Sequence, residues 1–213
     1  MTGKPVLLLS MPIRQEKHQY ERALNHMKDM ELKYPNVSSM DIDLTGTFGQ
    51  LEADLPKETV EDFLAMANTR SRLRMTTLYA VGQANRCLVA GTGNKVEDFG
   101  VGFFTKYGDG GVDLSPIADL KKSEVWALGE EIGVRKDIIQ AKPTDGLWAD
   151  DRSDEDQIGA TYPELEWAME FEGDESTLSE RQKEVLKIYR GYHRANRHKM
   201  IPIPVCTIPD VLR

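Results

Sequence analysis

The stretch from Cys87 to Asp113, CLVAGTGNKVEDFGVGFFTKYGDGGVD, constrains the fold of this chain more than any other. It opens with Cys87-Leu88-Val89-Ala90, a short apolar run that reads as a buried strand. The run breaks into Gly91-Thr92-Gly93-Asn94, a backbone that bends sharply and lets a ligand approach closely. An acid, Glu97, follows at once, and a second polar loop, Thr105 to Gly111, closes the segment. Glycine alone would equally mark a plain strand-turn connection. The Thr, Lys, Glu and Asp around it favour a nucleotide site at a strand end in an open α/β sheet.

The preceding chain supplies the frame for such a sheet. Pro5-Val6-Leu7-Leu8-Leu9 is a continuous apolar run typical of a strand buried on both faces. Tyr20, Ala23, Leu24, Met27 and Met30 recur at helical spacing up to a stop at Tyr34-Pro35-Asn36. Val37, Met40, Ile42 and Leu44 then mark a second strand, so the order is that of a βαβ unit. Thr45 to Leu55 reads as a loop with a short helix. Pro56 can start a further helix, with Asn68 as a possible interruption. Arg70, Arg72 and Arg74 alternate, so they cannot share one helix face. Solvated charge is the plain reading of that trio, and an anion contact the sharper one.

After the second loop, Val112 to Pro116 reads as a short strand. Val125, Leu128 and Ile132 give a helix that stops near Gly133, and Lys122 stands at its start. A cation is disfavoured there by the helix dipole, which hints that Lys122 faces a ligand phosphate. Asp150, Asp151, Asp154, Glu155 and Asp156 read as a solvated loop with an acidic helix start rather than a metal site. Tyr162 to Phe171 is expected to be helical, and Ser179 with Gln182 forms a capping box for another helix. The proline-bearing tail from Ile201 to Pro209 cannot be a central strand.

At 213 residues the chain suits one domain, spanning 1–213, with a helical C-terminal extension from about 160 to 213. A net charge of −8 argues against non-specific binding to nucleic acid. It leaves room for a local basic pocket. With two cysteines, a disulfide scaffold is improbable and Cys87 reads as a buried thiol. No run approaches the roughly 18 apolar residues of a membrane span, and no leader pattern is present, so a cytoplasmic protein is expected.

Taken together, the motifs resemble those of ammonia-dependent NAD synthetase. The similarity runs from about Pro5 to Pro204. It is carried by Ser10 to Arg14, Asn68 to Met75, Gly91 to Lys95, Phe104 to Gly111, Pro143 to Trp148, Ser153 to Glu155 and His198-Lys199. The resemblance implies an α/β fold with a Rossmann-like open parallel sheet flanked by helices, of the adenine nucleotide alpha-hydrolase (N-type ATP pyrophosphatase) kind. It implies an ATP-dependent ligase that amidates deamido-NAD with ammonia through an acyl-adenylate, releasing AMP and pyrophosphate. It also implies Mg2+ and a homodimer. Residue by residue, Thr92, Lys122 and Thr144 match ATP contacts. Glu97 matches the carboxylate that helps hold magnesium, although EDFGVGFF is one residue longer than the commoner family spacing. Arg72, Lys106, Asp113, His198 and Lys199 match positions that bind deamido-NAD, and Asp109 a residue near the ammonia.

One departure stands out. The Ser-Gly-Gly-x-Asp-Ser loop that follows the family's first strand is absent. That strand would lie between those corresponding to Pro5–Leu9 and Cys87–Ala90. The chain reads as shortened at its N-terminus, or as a divergent relative that closes its sheet differently, and is expected to be poorly active as given. The alternatives are a non-catalytic nucleotide-binding or regulatory relative, or another ligase of the ATP-pyrophosphatase class.

Overall fold

The computed structural model describes residues 3–144 and 153–213. Strands β1 (Val6–Ser10) and β2 (Val37–Asp41) run parallel, in register from Val6 opposite Val37 to Ser10 opposite Asp41. Helix α1 (Lys17–Lys33) makes the crossover between them. Farther along, a parallel bridge joins Ala90 to Leu114. The expected α/β class, with parallel strands and flanking helices, is what the chain adopts.

Two apolar runs are less buried than their composition implies. Val6 is 44% exposed and Leu88 70%, and Cys87 is half-buried rather than buried. A strand inside a sheet is shielded by neighbours on its edges as well as by the layers packed on its faces, and a strand at an edge lacks part of that cover. Among the described residues β1 pairs with β2 alone, and the Cys87–Ala90 run, expected as a strand, forms a single bridge and across from it bonds only the Asp113–Leu114 stretch. The facing sides of β1 and of Leu88–Ala90 instead border a cavity of about 1690 Å3, floored by the next long helix.

Thr45–Asp54 is a regular helix, α2, rather than a loop with a short helical piece. Gly46 and Gly49 depress its intrinsic propensity, but Phe48 is fully buried with Ile13, Leu44 and Met66, and that packing decides. A short α3 (Lys57–Val60) leads to α4 (Phe63–Ala84), which Asp62 caps by accepting from the Ala65 N–H at 2.9 Å. Asn68 does not interrupt it. The helix turns its arginines to different partners: Arg70 lies over the Phe48 ring at 5.0 Å, Arg72 donates to the Lys106 carbonyl and Arg74 to that of Met11. Each has a defined contact, so plain solvated charge does not describe them.

The second half gathers round a π-helical turn at Val96–Val101. Helices α5 (Lys122–Glu131), α6 (Lys136–Ile139), α7 (Asp154–Ile158), α8 (Tyr162–Glu170) and α9 (Glu180–Met200) follow. Val96 and Val101 are buried with Ile158, Tyr162, Leu165, Val185 and Leu186, making the larger of the two apolar clusters. Asn196 Nδ2 donates to the Val101 carbonyl at 2.9 Å and His193 bonds that of Gly100 at 2.7 Å. These contacts fix the end of α9 beside the turn. The expected Ser179–Gln182 box caps α9, and the tail beyond it is exposed and forms no strand. No described helix is long and apolar enough to cross a membrane.

Candidate active site

The Gly91–Asn94 loop is built to present Glu97. Asn94 is 2% exposed, and its side-chain oxygen accepts from the backbone N–H of Val96 at 3.0 Å and of Glu97 at 3.1 Å. That Asx arrangement starts the π-helical turn and projects Glu97 from its first residues. Glu97 Oε1 takes two strong donors: Lys122 Nζ from the start of α5 at 2.9 Å, and the Tyr162 hydroxyl at 2.6 Å. Among the described residues Oε2 receives a single long contact, 3.4 Å from the Asn94 N–H. Tyr162 also reaches Asp154 Oδ2 at 3.1 Å, and Asp154 is buried. That burial corrects the view of this acid as part of a solvated run. Asp150 and Asp151 lie outside the described residues.

Gly93 stands directly against the carboxylate of Asp98. A Cβ there would stand 2.2 Å from Asp98 Oδ1. Burial, then the nearby Glu97 and Asp109 carboxylates, push Asp98 up to about 6.

The second loop is pinned to α4. Ser71 Oγ donates to Asp109 Oδ1 at 2.7 Å and accepts from the Asp109 N–H at 3.0 Å, while the Thr105 N–H also donates to Oδ1. Around this pair stand the cations. Arg72 donates to the Lys106 carbonyl, Lys106 Nζ to that of His198 at 3.0 Å, and Lys199 Nζ to that of Phe104 at 2.7 Å. Burial holds the Lys199 ammonium below its usual range, opposed by Asp109. Arg72, Lys106, His198 and Lys199 line the large cavity together with Asp109 and Thr92. These side chains come from α4, two loops and the end of α9, so only folding brings them together.

Other expected site residues sit elsewhere. Asp113 accepts from the Tyr79 hydroxyl and the Val89 N–H, latching the Val89 segment to α4, and does not join the cation group. Glu97 and Lys122 stand outside the cavity wall. Thr144 is exposed; the Pro143 carbonyl beside it accepts from the Asp154 N–H, which brings that segment towards Glu97 through Tyr162. Asp145 to Trp148 lie outside the described residues. Sequence reasoning passed over Ser71, Asn94, Asp98, Asp154 and Tyr162. For Asn94 the Asn-x-x-Glu spacing was a usable sign, since an Asx turn needs its partner N–H groups close in sequence.

Among the described residues no cluster of three or more His, Cys, Asp or Glu could hold a metal ion by itself. Glu97, with an oxygen only lightly engaged, suits a hard cation that brings phosphate ligands with it.

A parallel α/β fold with a glycine loop, a carboxylate–lysine pair and basic side chains among those bordering a cavity beside β1 fits a nucleotide-handling α/β protein. Comparison narrows this: the family model for NAD synthase matches residues 2–201, and the chain belongs to that family. It is 36% identical over 187 residues to the NH(3)-dependent NAD(+) synthetase of Mesoplasma florum, covering 87% of this chain and 73% of the relative. Among solved structures, it is similar to the NMN synthetase from Francisella tularensis, with a TM-score of 0.81 at 30% identity, covering 98% of this chain and 80% of the other. It also shares the fold of an NH3-dependent NAD synthetase from Campylobacter jejuni, with a TM-score of 0.73 at 22% identity over 95% and 78% of the two chains.

Proposed function

We propose that this chain is a ligase of NAD biosynthesis that amidates the nicotinate carboxylate of deamido-NAD with ammonia at the expense of ATP. The observation that carries this reading is the Ser71–Asp109 pair, held on the wall of a cavity edged by Arg72, Lys106, His198 and Lys199. Four basic side chains suit a substrate with phosphates and a carboxylate. The carboxylate among them suits capture of ammonium or acceptance of its proton.

A carboxylate is a poor electrophile, so its oxygen first attacks the α-phosphate of ATP and pyrophosphate leaves. Thr92 and Lys122 would bind ATP, with Thr144 as a further contact. Glu97 would hold Mg2+, which when bound neutralises charge building on the phosphates. Lys122 adds a positive charge beside Glu97 that binding of phosphate can draw away. Ammonia near Asp109 then attacks the acyl-adenylate carbonyl, and AMP departs. Positioning two nucleotides end to end supplies much of the remaining rate. We further place the protein in the cytoplasm as a single domain that works as a homodimer, with free ammonia as its nitrogen donor.

A second reading changes only the substrate. Similarity to an NMN synthetase structure favours nicotinate mononucleotide, which presents the same carboxylate on a shorter ligand. Calorimetry with each nucleotide, followed by assay with ATP, Mg2+ and ammonium, separates the two. Carboxylate labelled with oxygen-18 should deliver one label to AMP. Binding without turnover would support a non-catalytic relative, and failure to bind either nucleotide would overturn both readings.

A further inference from the structure

Tyr162 is the most completely fixed polar side chain near Glu97. It is fully buried, at the first residue of α8. Its N–H donates to Glu155 Oε1 at 2.8 Å, tying α8 to α7. Its ring meets Trp126 edge-on, with centroids 6.1 Å apart, and carries Lys122 Nζ 4.8 Å from its centre. Trp126 and Lys122 are one turn apart on α5, so a single helix holds two sides of the ring. The hydroxyl has one proton and faces two carboxylates, Glu97 at 2.6 Å and Asp154 at 3.1 Å.

We propose that Tyr162 is a positioning residue that holds Glu97 Oε1 and thereby presents Oε2 to the cation that arrives with ATP. This rests on the reading of Glu97 as the metal-holding carboxylate. Three elements, α5, α7 and α8, converge on the ring, so the hydroxyl has little freedom to follow Glu97 elsewhere. The shorter bond goes to Glu97, and Asp154 stands behind it as the second acceptor. A ligand carboxylate held this way loses its rotational freedom before the metal binds, which is how outer partners raise metal affinity.

The test uses Mn2+ with ATP, read by electron paramagnetic resonance of free Mn2+, on the full chain and on Tyr162→Phe and Glu97→Gln. Tyr162→Phe keeps the ring contacts and removes only the hydroxyl. It is expected to weaken Mn2+ binding about tenfold or more, with metal-free ATP binding unchanged. Mn2+ affinity unchanged in Tyr162→Phe but lost in Glu97→Gln would overturn the role of Tyr162 and leave the metal reading intact. Mn2+ affinity unchanged in Glu97→Gln, or no Mn2+ binding by the unsubstituted chain, would overturn the metal reading and this inference with it. Asp154→Asn provides a second check should Tyr162→Phe fold poorly. It leaves the hydroxyl a single carboxylate acceptor and is expected to shift Mn2+ affinity by less than about threefold. A loss matching that of Glu97→Gln would make Asp154 the ligand and overturn the proposal.

Discussion

Lys122 Nζ lies 2.9 Å from Glu97 Oε1, with both side chains less than one-fifth exposed. In the absence of ligand each neutralises the other. On the proposed function, Lys122 is expected to leave for phosphate when MgATP binds, while Glu97, held by Tyr162, stays to meet the metal. The pair keeps two charged side chains largely desolvated without leaving either charge alone.

Breaking this pair from the two sides should not be equivalent. Lys122→Met leaves Glu97 without its cation and should cost about 3 kcal/mol of stability. Glu97→Gln retains an amide oxygen for Tyr162 and Lys122 and should cost less. Thermal melts of the two variants check the asymmetry. Calorimetry should show weakened ATP binding in Lys122→Met.

Asp109→Asn keeps an oxygen for the Ser71 and Thr105 donors, so the second loop should stay in place. It loses the negative charge near the proposed ammonia position. We expect nearly unchanged melting and a fall of about a hundredfold in kcat/KM for ammonium. A fall confined to the nucleotide KM would assign Asp109 to substrate binding instead.

Gly108→Ala tests the backing of that loop. Its Cβ would sit 2.2 Å from Ser71 Oγ and 2.9 Å from Thr105 Cβ. Something must move, at a cost of about 2 kcal/mol. Because Ser71 holds Asp109, binding of deamido-NAD should weaken together with stability. Paired denaturation and calorimetry would show both effects.

Asp98 makes a pH prediction. Its folded-state value, about 6, lies above the usual 3.8, so the folded chain holds this proton more tightly than the unfolded one. The associated stability is complete below about pH 4 and is lost as pH rises through 6. Asp98→Asn should therefore raise stability above pH 7, by about 1 kcal/mol after allowance for solvent screening, and leave it unchanged near pH 4. Melting curves across that range provide the check.

Much of the frame was legible because its causes are local. Apolar spacing marked α1, and the Ser179–Gln182 box marked the start of α9, since both depend on residues within a turn or two of each other. The turn at the glycine loop was legible for the same reason. Phe48 was different: its burial against Ile13, Leu44 and Met66 turned a glycine-containing stretch into α2, which local propensity did not reveal. Burial of β1 and Leu88 was overestimated because cover depends on neighbours that the strand's own residues do not specify.

By itself the sequence determined the α/β class, the family motifs and the chemical kinds of side chain available: a carboxylate beside a glycine loop, and cations spread from Arg72 to Lys199. Only the tertiary structure decided which of them meet. It brought Lys122 and Tyr162 to Glu97, gave Asp109 to Ser71, and spent Asp113 on Tyr79 and Val89. The physical reason is distance along the chain. Hydrogen bonds and ion pairs act over a few ångströms, and partners 65 residues apart, as Tyr162 and Glu97 are, or 95 apart, as Lys199 and Phe104 are, reach that range only through packing of helices on a shared core.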